Sequence, residues 1–376
     1  MLIKKLIKFI EDWAPPGIAW ERDNVGLQIG SREDKIENVL LSLDLTEDVV
    51  DTAINNNCNF IFNHHPFFFF PIKNIDYSED SKSRIIKKLI SNNISVYSAH
   101  TNLDFTKEGV SYQLAKKLGL NNIKFLAPLD KKQFKVVTFV PESEMQKLSS
   151  AVFKAGGGVI GEYSNCGFSI KGKGTFKGSE NSNPVVGEKN SLTETEEIRF
   201  ETVVDAWNLN RVVSAIIKNH PYEEPAYDIY PLNNTNGNFG FGAIGVLEKS
   251  LSKNEFLTLT AVKLKTPALR YSNGKNKRIK KVAVCGGTCA DLLNKAIAQK
   301  ADAFITADIT YHTFQQGEDK ILFIDAGHYE TENVVLNEVQ KRFEYFFSNN
   351  GEKIKVMKYK GNTNPVKFFI KNKRKK

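Results

Sequence analysis

The chain is poor in cysteine. Of its 376 residues only Cys58, Cys166, Cys285 and Cys289 are cysteines, and no two are spaced Cys-x-x-Cys. That pattern argues against a thiolate zinc site and gives no sign of a disulfide framework. Long apolar runs are missing as well. None approaches the roughly 20 residues that span a bilayer. The opening Met1-Leu2-Ile3-Lys4-Lys5 leads into neither a long apolar block nor a small-residue cleavage site. A cytoplasmic protein with no membrane partner is therefore expected. Charge of one sign is nearly balanced once the terminus is set aside. Five of the net +9 charges belong to Lys371, Lys373, Arg374, Lys375 and Lys376. This basic tail reads as a solvated segment, and no nucleic-acid partner is expected. A long glycine-rich phosphate cradle is also lacking: Gly286-Gly287 is explained equally well by a tight strand-to-helix turn.

What the chain does contain is an alternation of apolar runs and helical segments. The length predicts two or three domains with ample apolar content for packed cores. Leu2, Ile3, Leu6, Ile7, Ile10 and Trp13 follow helical spacing, and Pro15-Pro16 ends that helix. Val39 to Leu43 reads as a buried strand, and Thr46 before Glu47-Asp48 as the start of a helix running to Asn57. The strand Phe60-Ile61-Phe62 leads into Asn63-His64-His65-Pro66. A helix near Ser81 to Ser91 precedes strand Ile94 to Tyr97, which ends in Ser98-Ala99-His100-Thr101-Asn102-Leu103-Asp104. The expected fold class is α/β, with a largely parallel sheet, covering helices and functional side chains at the carboxyl ends of strands.

From about Phe134 to Leu232 the pattern changes to strand, helix, two strands, helix and strand. This predicts an inserted α+β domain of ferredoxin-like kind. Its loop His220-Pro221-Tyr222-Glu223-Glu224-Pro225 reads either as a binding loop or as a proline-punctuated turn. Beyond it the first pattern returns. Val282-Ala283-Val284 matches Val39-Leu40-Leu41, and Ala296-Ile297 matches Ala53-Ile54, at one constant offset that also sets Asp308 opposite His65. Gly327-His328 followed by Glu332 parallels Ala99-His100 followed by Asp104, so each half carries a histidine with a carboxylate four residues on. The expected architecture is two similar strand-helix halves, 1–130 and 236–370, forming one metal-binding domain. The insertion occupies 131–235 and the basic tail 371–376.

Adjacent histidines at a strand end point to metal, since neutral imidazole is the commonest transition-metal ligand. Two facing halves would gather His64, His65, Asp104, His328 and Glu332. Three nitrogens and two carboxylates suit two divalent metal ions among Zn, Fe, Mn, Co and Ni, provided one carboxylate bridges. Such a pair favours hydrolysis. His100 and His312 are candidate catalytic proton carriers, each with a structural role as the alternative.

The same residues resemble a known family, the dinuclear-metal-centre proteins named GTP cyclohydrolase I type 2 homologs. The resemblance rests on Asp23-Asn24-Val25-Gly26-Leu27, Asn63-His64-His65-Pro66, His100-Thr101-Asn102-Leu103-Asp104, Ala326-Gly327-His328-Tyr329 with Glu332, and Thr363-Asn364-Pro365. The insertion resembles the PII/CutA-like segment of the longer members. The resemblance implies a toroidal homohexamer, the same five metal ligands with Glu332 as the bridge, and a metal-dependent hydrolase acting on a small molecule such as GTP or another nucleotide. The alternatives are a phosphoester hydrolase of different substrate and a non-enzymatic hexameric scaffold or regulator. Glu108-Gly109-Val110-Ser111 and Thr288-Cys289 depart from the family's usual runs without touching a ligand.

Overall fold

The computed structural model describes residues 1–130 and 132–369, so the tail expected at 371–376 lies outside the described residues. Helix α1 (Ile3–Trp13) buries Ile3, Leu6, Ile7 and Ile10 on one face and ends before Pro15-Pro16. There follow β1 (Gly26–Ile29), β2 (Asn38–Ser42), α2 (Glu47–Asn55), β3 (Phe60–Asn63), α3 (Ser81–Ser91), β4 (Ser95–Ser98), α4 (Thr101–Asp104), α5 (Val110–Lys117) and β5 (Leu120–Asp130). Thr46 caps α2 by accepting the Val49 N–H at 3.3 Å, which satisfies one of the donors a helix start leaves unpaired.

Next come β6 (Gln133–Val140), α6 (Met145–Lys154), β7 (Gly167–Lys177), β8 (Leu192–Asp205), α7 (Leu209–Asn219) and β9 (Tyr227–Leu232). The chain continues through β10 (Thr235–Ser252), α8 (Lys253–Leu264), β11 (Arg270–Ser272), β12 (Arg278–Val284), α9 (Leu293–Ala298), β13 (Ala303–Thr306), α10 (Tyr311–Gly317), β14 (Leu322–Asp325), α11 (His328–Glu332), α12 (Leu336–Asn349) and β15 (Lys355–Lys358). Among the described residues no helix is long and apolar enough to cross a membrane.

Two compact units result: Met1–Ala127 with the chain from Phe239 onward, and Pro128–Asn238. In the second, the strands are ordered β7-β8-β6-β9 with antiparallel pairing throughout. Its elements succeed one another as βαββαβ. Val136, Val152, Phe200, Val204, Val212 and Ile216 form its apolar core, drawn from the sheet and both helices.

The first unit holds two sheets, ordered β1-β4-β3-β2-β15 and β11-β14-β13-β12-β10-β5. Each contains a parallel triplet with an antiparallel strand on its outer flank, β1 against β4 and β11 against β14. The triplets also share a register. Val39 pairs with Phe60 and Val282 with Ala303, which equates the positions that the constant offset equates. Two features differ from expectation. The sheets are mixed, because β1, β10 and β11 run antiparallel to their neighbours. The histidine-acid match is also one residue out. Asn63 pairs with Ser98 and Thr306 with Asp325, so His100 lies two residues past its strand position and His328 three. In the superposed halves His100 stands opposite Gly327.

Four of the parallel strands, β3, β4, β13 and β14, are buried along their whole length. This is the burial that covered parallel sheets require and the reason they read as continuous apolar runs. It leaves their carboxyl ends as the places where polar side chains emerge, and His64, Asp104 and His328 all lie just beyond such ends.

Candidate metal centre

Asn63, the buried last residue of β3, anchors the turn that presents the histidines. Its amide donates to the His65 carbonyl and its Oδ1 accepts the Ser98 hydroxyl at 2.9 Å. Three imidazoles are then held in the same way. His64 Nδ1 lies 2.8 Å from the Ala99 carbonyl oxygen, His65 Nδ1 2.6 Å from Asp44 Oδ1, and His328 Nδ1 2.6 Å from Asp308 Oδ2. Carbonyl and carboxylate oxygens only accept, so each Nδ1 carries a proton and each ring turns its Nε2 inward, free to bind a cation once it has no proton of its own.

Glu332 sits four residues after His328 on α11, a spacing that puts both on one side of the helix. Glu332 Oε2 is 2.9 Å from His65 Nε2 and 3.1 Å from His328 Nε2. Its other oxygen, Oε1, is 3.9 Å from His64 Nε2, which is 3.6 Å from Asp104 Oδ1. One carboxylate thus faces two groups, His65-His328-Glu332 and His64-Asp104-Glu332, each with ligand atoms within 4.8 Å of one another. A third such group joins His64, His65 and His100.

The residues fit divalent cations. His64 Nε2, His65 Nε2, Asp104 Oδ1 and Glu332 Oε2 are buried and have no hydrogen-bond partner. Unpaired buried polar atoms are costly and uncommon, and here four of metal-ligand type converge on one another. A cation between them removes that cost, and mixed imidazole and carboxylate ligands suit the later first-row divalent metals and manganese.

Comparison with known proteins settles the lineage. Residues 1–365 match the Duf34/NIF3 family, NGG1p interacting factor 3. The chain belongs to the Duf34/NIF3 family. It is 38% identical over 366 residues to a Halalkalibacterium halodurans protein named GTP cyclohydrolase 1 type 2 homolog, covering 97% of this chain and 98% of that one. A Bacillus subtilis protein of the same name is 34% identical over 371 residues, covering 97% of this chain and 98% of its own. The crystal structure of a Bacillus cereus protein related to NIF3 superposes with a TM-score of 0.83 at 35% identity, covering 98% of this chain and 99% of that chain.

Electrostatics in this Duf34/NIF3 chain follow from the crowding. Burial works against charge on His65, but the Asp44 and Glu332 carboxylates outweigh it and raise its pKa to about 9. His328 is likewise disfavoured by burial yet raised to about 10 by Asp308 and Glu332. Burial lowers the pKa of His64, only partly offset by Glu332. Asp104 is driven well above the usual carboxylate range by burial and by the neighbouring Glu332 charge. Burial pushes Glu332 the same way, but the facing His328, His64 and His65 rings hold it well below that range. Neighbouring carboxylates pushed in opposite directions are what a site built for positive charge shows when only protons supply it.

His100 joins the site from the side. Its Nδ1 lies 2.9 Å from Asp23 Oδ1, while Asp23 Oδ2 accepts the Thr101 N–H at 3.0 Å. Its ring centroid is 5.2 Å from that of His64 and 5.5 Å from that of His65. His312 stands apart: exposed on α10, its Nδ1 is 3.2 Å from Gln315 Oε1, and it belongs to none of the metal-type groups among the described residues. His220, in the inserted unit, is buried. Its Nε2 is 2.8 Å from the Phe139 carbonyl and its Nδ1 accepts the Tyr222 N–H at 3.1 Å, so its loop is a pinned turn with both ring nitrogens in use.

Sequence reasoning missed the residues that hold the rings. Asp44 fixes His65, and Thr363 in turn donates to Asp44 Oδ2 at 2.6 Å. Asp308 fixes His328 and also accepts the Thr288 hydroxyl at 2.5 Å. The one available signal was position, since both aspartates lie two residues beyond a parallel strand. Cys58 and Cys166 are free, whereas Cys285 and Cys289 are bonded to each other, a bridge of which the sequence shows no sign.

Proposed function

We propose that this chain holds two divalent metal ions, one at His65, His328 and Glu332 and the other at His64, Asp104 and Glu332, and hydrolyses a small molecule of nucleotide type. The observation that carries this reading is the Glu332 carboxylate, whose two oxygens face separate groups of orphaned ligand atoms. Two such ions, when bound, supply Lewis-acid activation of a water and of a substrate oxygen. The chain's own residues orient and protonate. Asp44, Asp308 and the Ala99 carbonyl fix the three imidazoles. His100, steadied by Asp23 beside His64 and His65, takes the role of proton carrier, with Nε2 as the exchanging atom. His312 is given no part, because its side chain is exposed and paired to Gln315 on its own helix.

Relatives bear the name GTP cyclohydrolase 1 type 2 homolog, so GTP is the first substrate to test. Purified chain loaded in turn with Zn, Mn, Fe, Co and Ni is assayed against GTP and other nucleotides. Formate release with pterin-like fluorescence supports opening of the guanine ring, and phosphate release supports phosphoester hydrolysis. No turnover with any metal counts against an enzyme and favours a metal-binding scaffold. The homohexamer belongs to the same reading, and a monomer at micromolar concentration in sedimentation equilibrium contradicts it.

A further inference from the structure

The loop leaving β12, Cys285-Gly286-Gly287-Thr288-Cys289, runs directly beneath the candidate centre. Its end residues are joined by a disulfide, with Cα atoms 6.0 Å apart, within the usual span of such bonds. Between them, Gly287 and Thr288 touch the surroundings of the site, and Gly286 is tied to Ser111 of α5. Gly286 N–H donates to Ser111 Oγ at 3.4 Å and Gly287 N–H to Thr331 Oγ1 at 3.0 Å. Gly287 has φ +64, and a Cβ there would collide with Glu332 Oε1. Thr288 donates to Asp308 Oδ2 at 2.5 Å, the same oxygen that fixes His328. Neither sulfur belongs to the metal-type groups among the described residues. Cys285 is buried and Cys289 partly exposed, so a reagent in solution meets Cys289 first.

We propose that Cys285 and Cys289 are a thiol-disulfide exchange site whose state sets the cation affinity of the His65-His328-Glu332 group. The inference rests on the metal-centre reading above. The co-reactant is a low-molecular-weight disulfide. The Cys289 thiolate attacks one of its sulfurs, breaks the S–S bond and expels one small thiolate. The Cys285 thiolate then attacks the Cys289 sulfur of the mixed disulfide and expels the second. The protein thiols lose two electrons and two protons, the small disulfide gains both, and two small thiols leave. In the bonded state the ring pins Gly287 against Glu332 and Thr288 against Asp308. Reduction opens the ring and loosens both supports, which weakens cation binding.

The test uses the full chain, either reduced and freed of reductant without air or equilibrated with oxidised glutathione. Thiol counts under denaturant should fall from four per chain to the two of Cys58 and Cys166. Mn²⁺ is the probe, because thiolates favour softer metals and reduced cysteines will not compete for it. Loss of outer-shell support predicts binding weakened roughly tenfold in the reduced form. Cys289→Ser should match the reduced protein and ignore glutathione. Equal affinities in the two states overturn the inference while leaving the metal centre standing. So does failure of glutathione to close the bond, or a redox response that survives in Cys289→Ser. Absence of Mn²⁺ binding in either state overturns the metal-centre reading itself, and the inference with it.

Discussion

Replacing Asp44 by Asn should weaken metal binding in a way that depends on pH. The substitution keeps an oxygen that can accept from His65 Nδ1, now 2.6 Å away, and removes only the charge. Two effects oppose each other. The carboxylate makes His65 a stronger ligand, and losing such a partner typically costs about 10- to 100-fold in affinity, or ~1.4 to 2.7 kcal/mol. The same carboxylate, with Glu332, lifts the His65 pKa from 6.5 to about 9, so in the wild type at pH 7 a metal must displace a proton. That displacement costs on the order of 3 kcal/mol. In Asp44→Asn the pKa falls, with Glu332 alone still holding it up, and the part of this cost due to Asp44 disappears. The sign follows directly. The His65 contribution to wild-type affinity rises with pH up to about 9, whereas in the variant that contribution levels off earlier. The competing proton on His328 is common to both. The variant should therefore differ little from the wild type near neutrality and be clearly weaker near pH 9. The assay is Zn²⁺ competition against a chelator across that range. A gap that stays constant with pH, or a variant that binds more tightly at pH 9, refutes the reasoning.

Stripped of metal by chelator, the protein should lose thermal stability as pH rises from about 7 to 10. Folded pKa values of about 9 and 10 at His65 and His328, raised from 6.5, stabilise fully below 6.5 and lose that contribution as pH passes through them. Metal-loaded protein should lack this slope, and scanning calorimetry of both forms checks it. Replacing Gln133–Leu232 by a short glycine linker should leave metal binding intact. Every candidate ligand lies in the other unit, where the flanking strands β5 and β10 are neighbours. Metal lost from a folded deletion variant contradicts it.

The alternation of buried strand and helix was legible because covered parallel strands must be apolar throughout, and the duplication because the shared register preserves the spacing of those runs. His64 and His65 stood out as a polar pair ending such a strand, and Glu332 through its helical spacing from His328. The coincidence of a histidine and an acid in both halves pointed to Glu332, which faces both groups, although the halves align one residue differently: both helices start three residues past the equivalent strand position, and His100 precedes its helix whereas His328 begins it. Asp44 and Asp308 were not legible as ring holders. Each meets its histidine about 20 residues away in sequence through the packing of adjacent strands, and no local pattern marks that contact. The Cys285-Cys289 pair escaped notice for a related reason: a loop that turns back under a helix closes a bridge that sequence spacing alone does not announce.

Metal content of folded variants tests the bridging carboxylate most directly. Glu332→Gln keeps the side-chain volume and removes the charge that both groups share, so it should lose metal from both. His328→Ala removes one neutral ligand from one group and should retain a substantial share of the ion held by His64 and Asp104. Elemental analysis per folded chain gives the answer. Depletion of both ions in Glu332→Gln with partial retention in His328→Ala is the predicted result, and two ions kept in Glu332→Gln while His328→Ala loses both is the result that contradicts it.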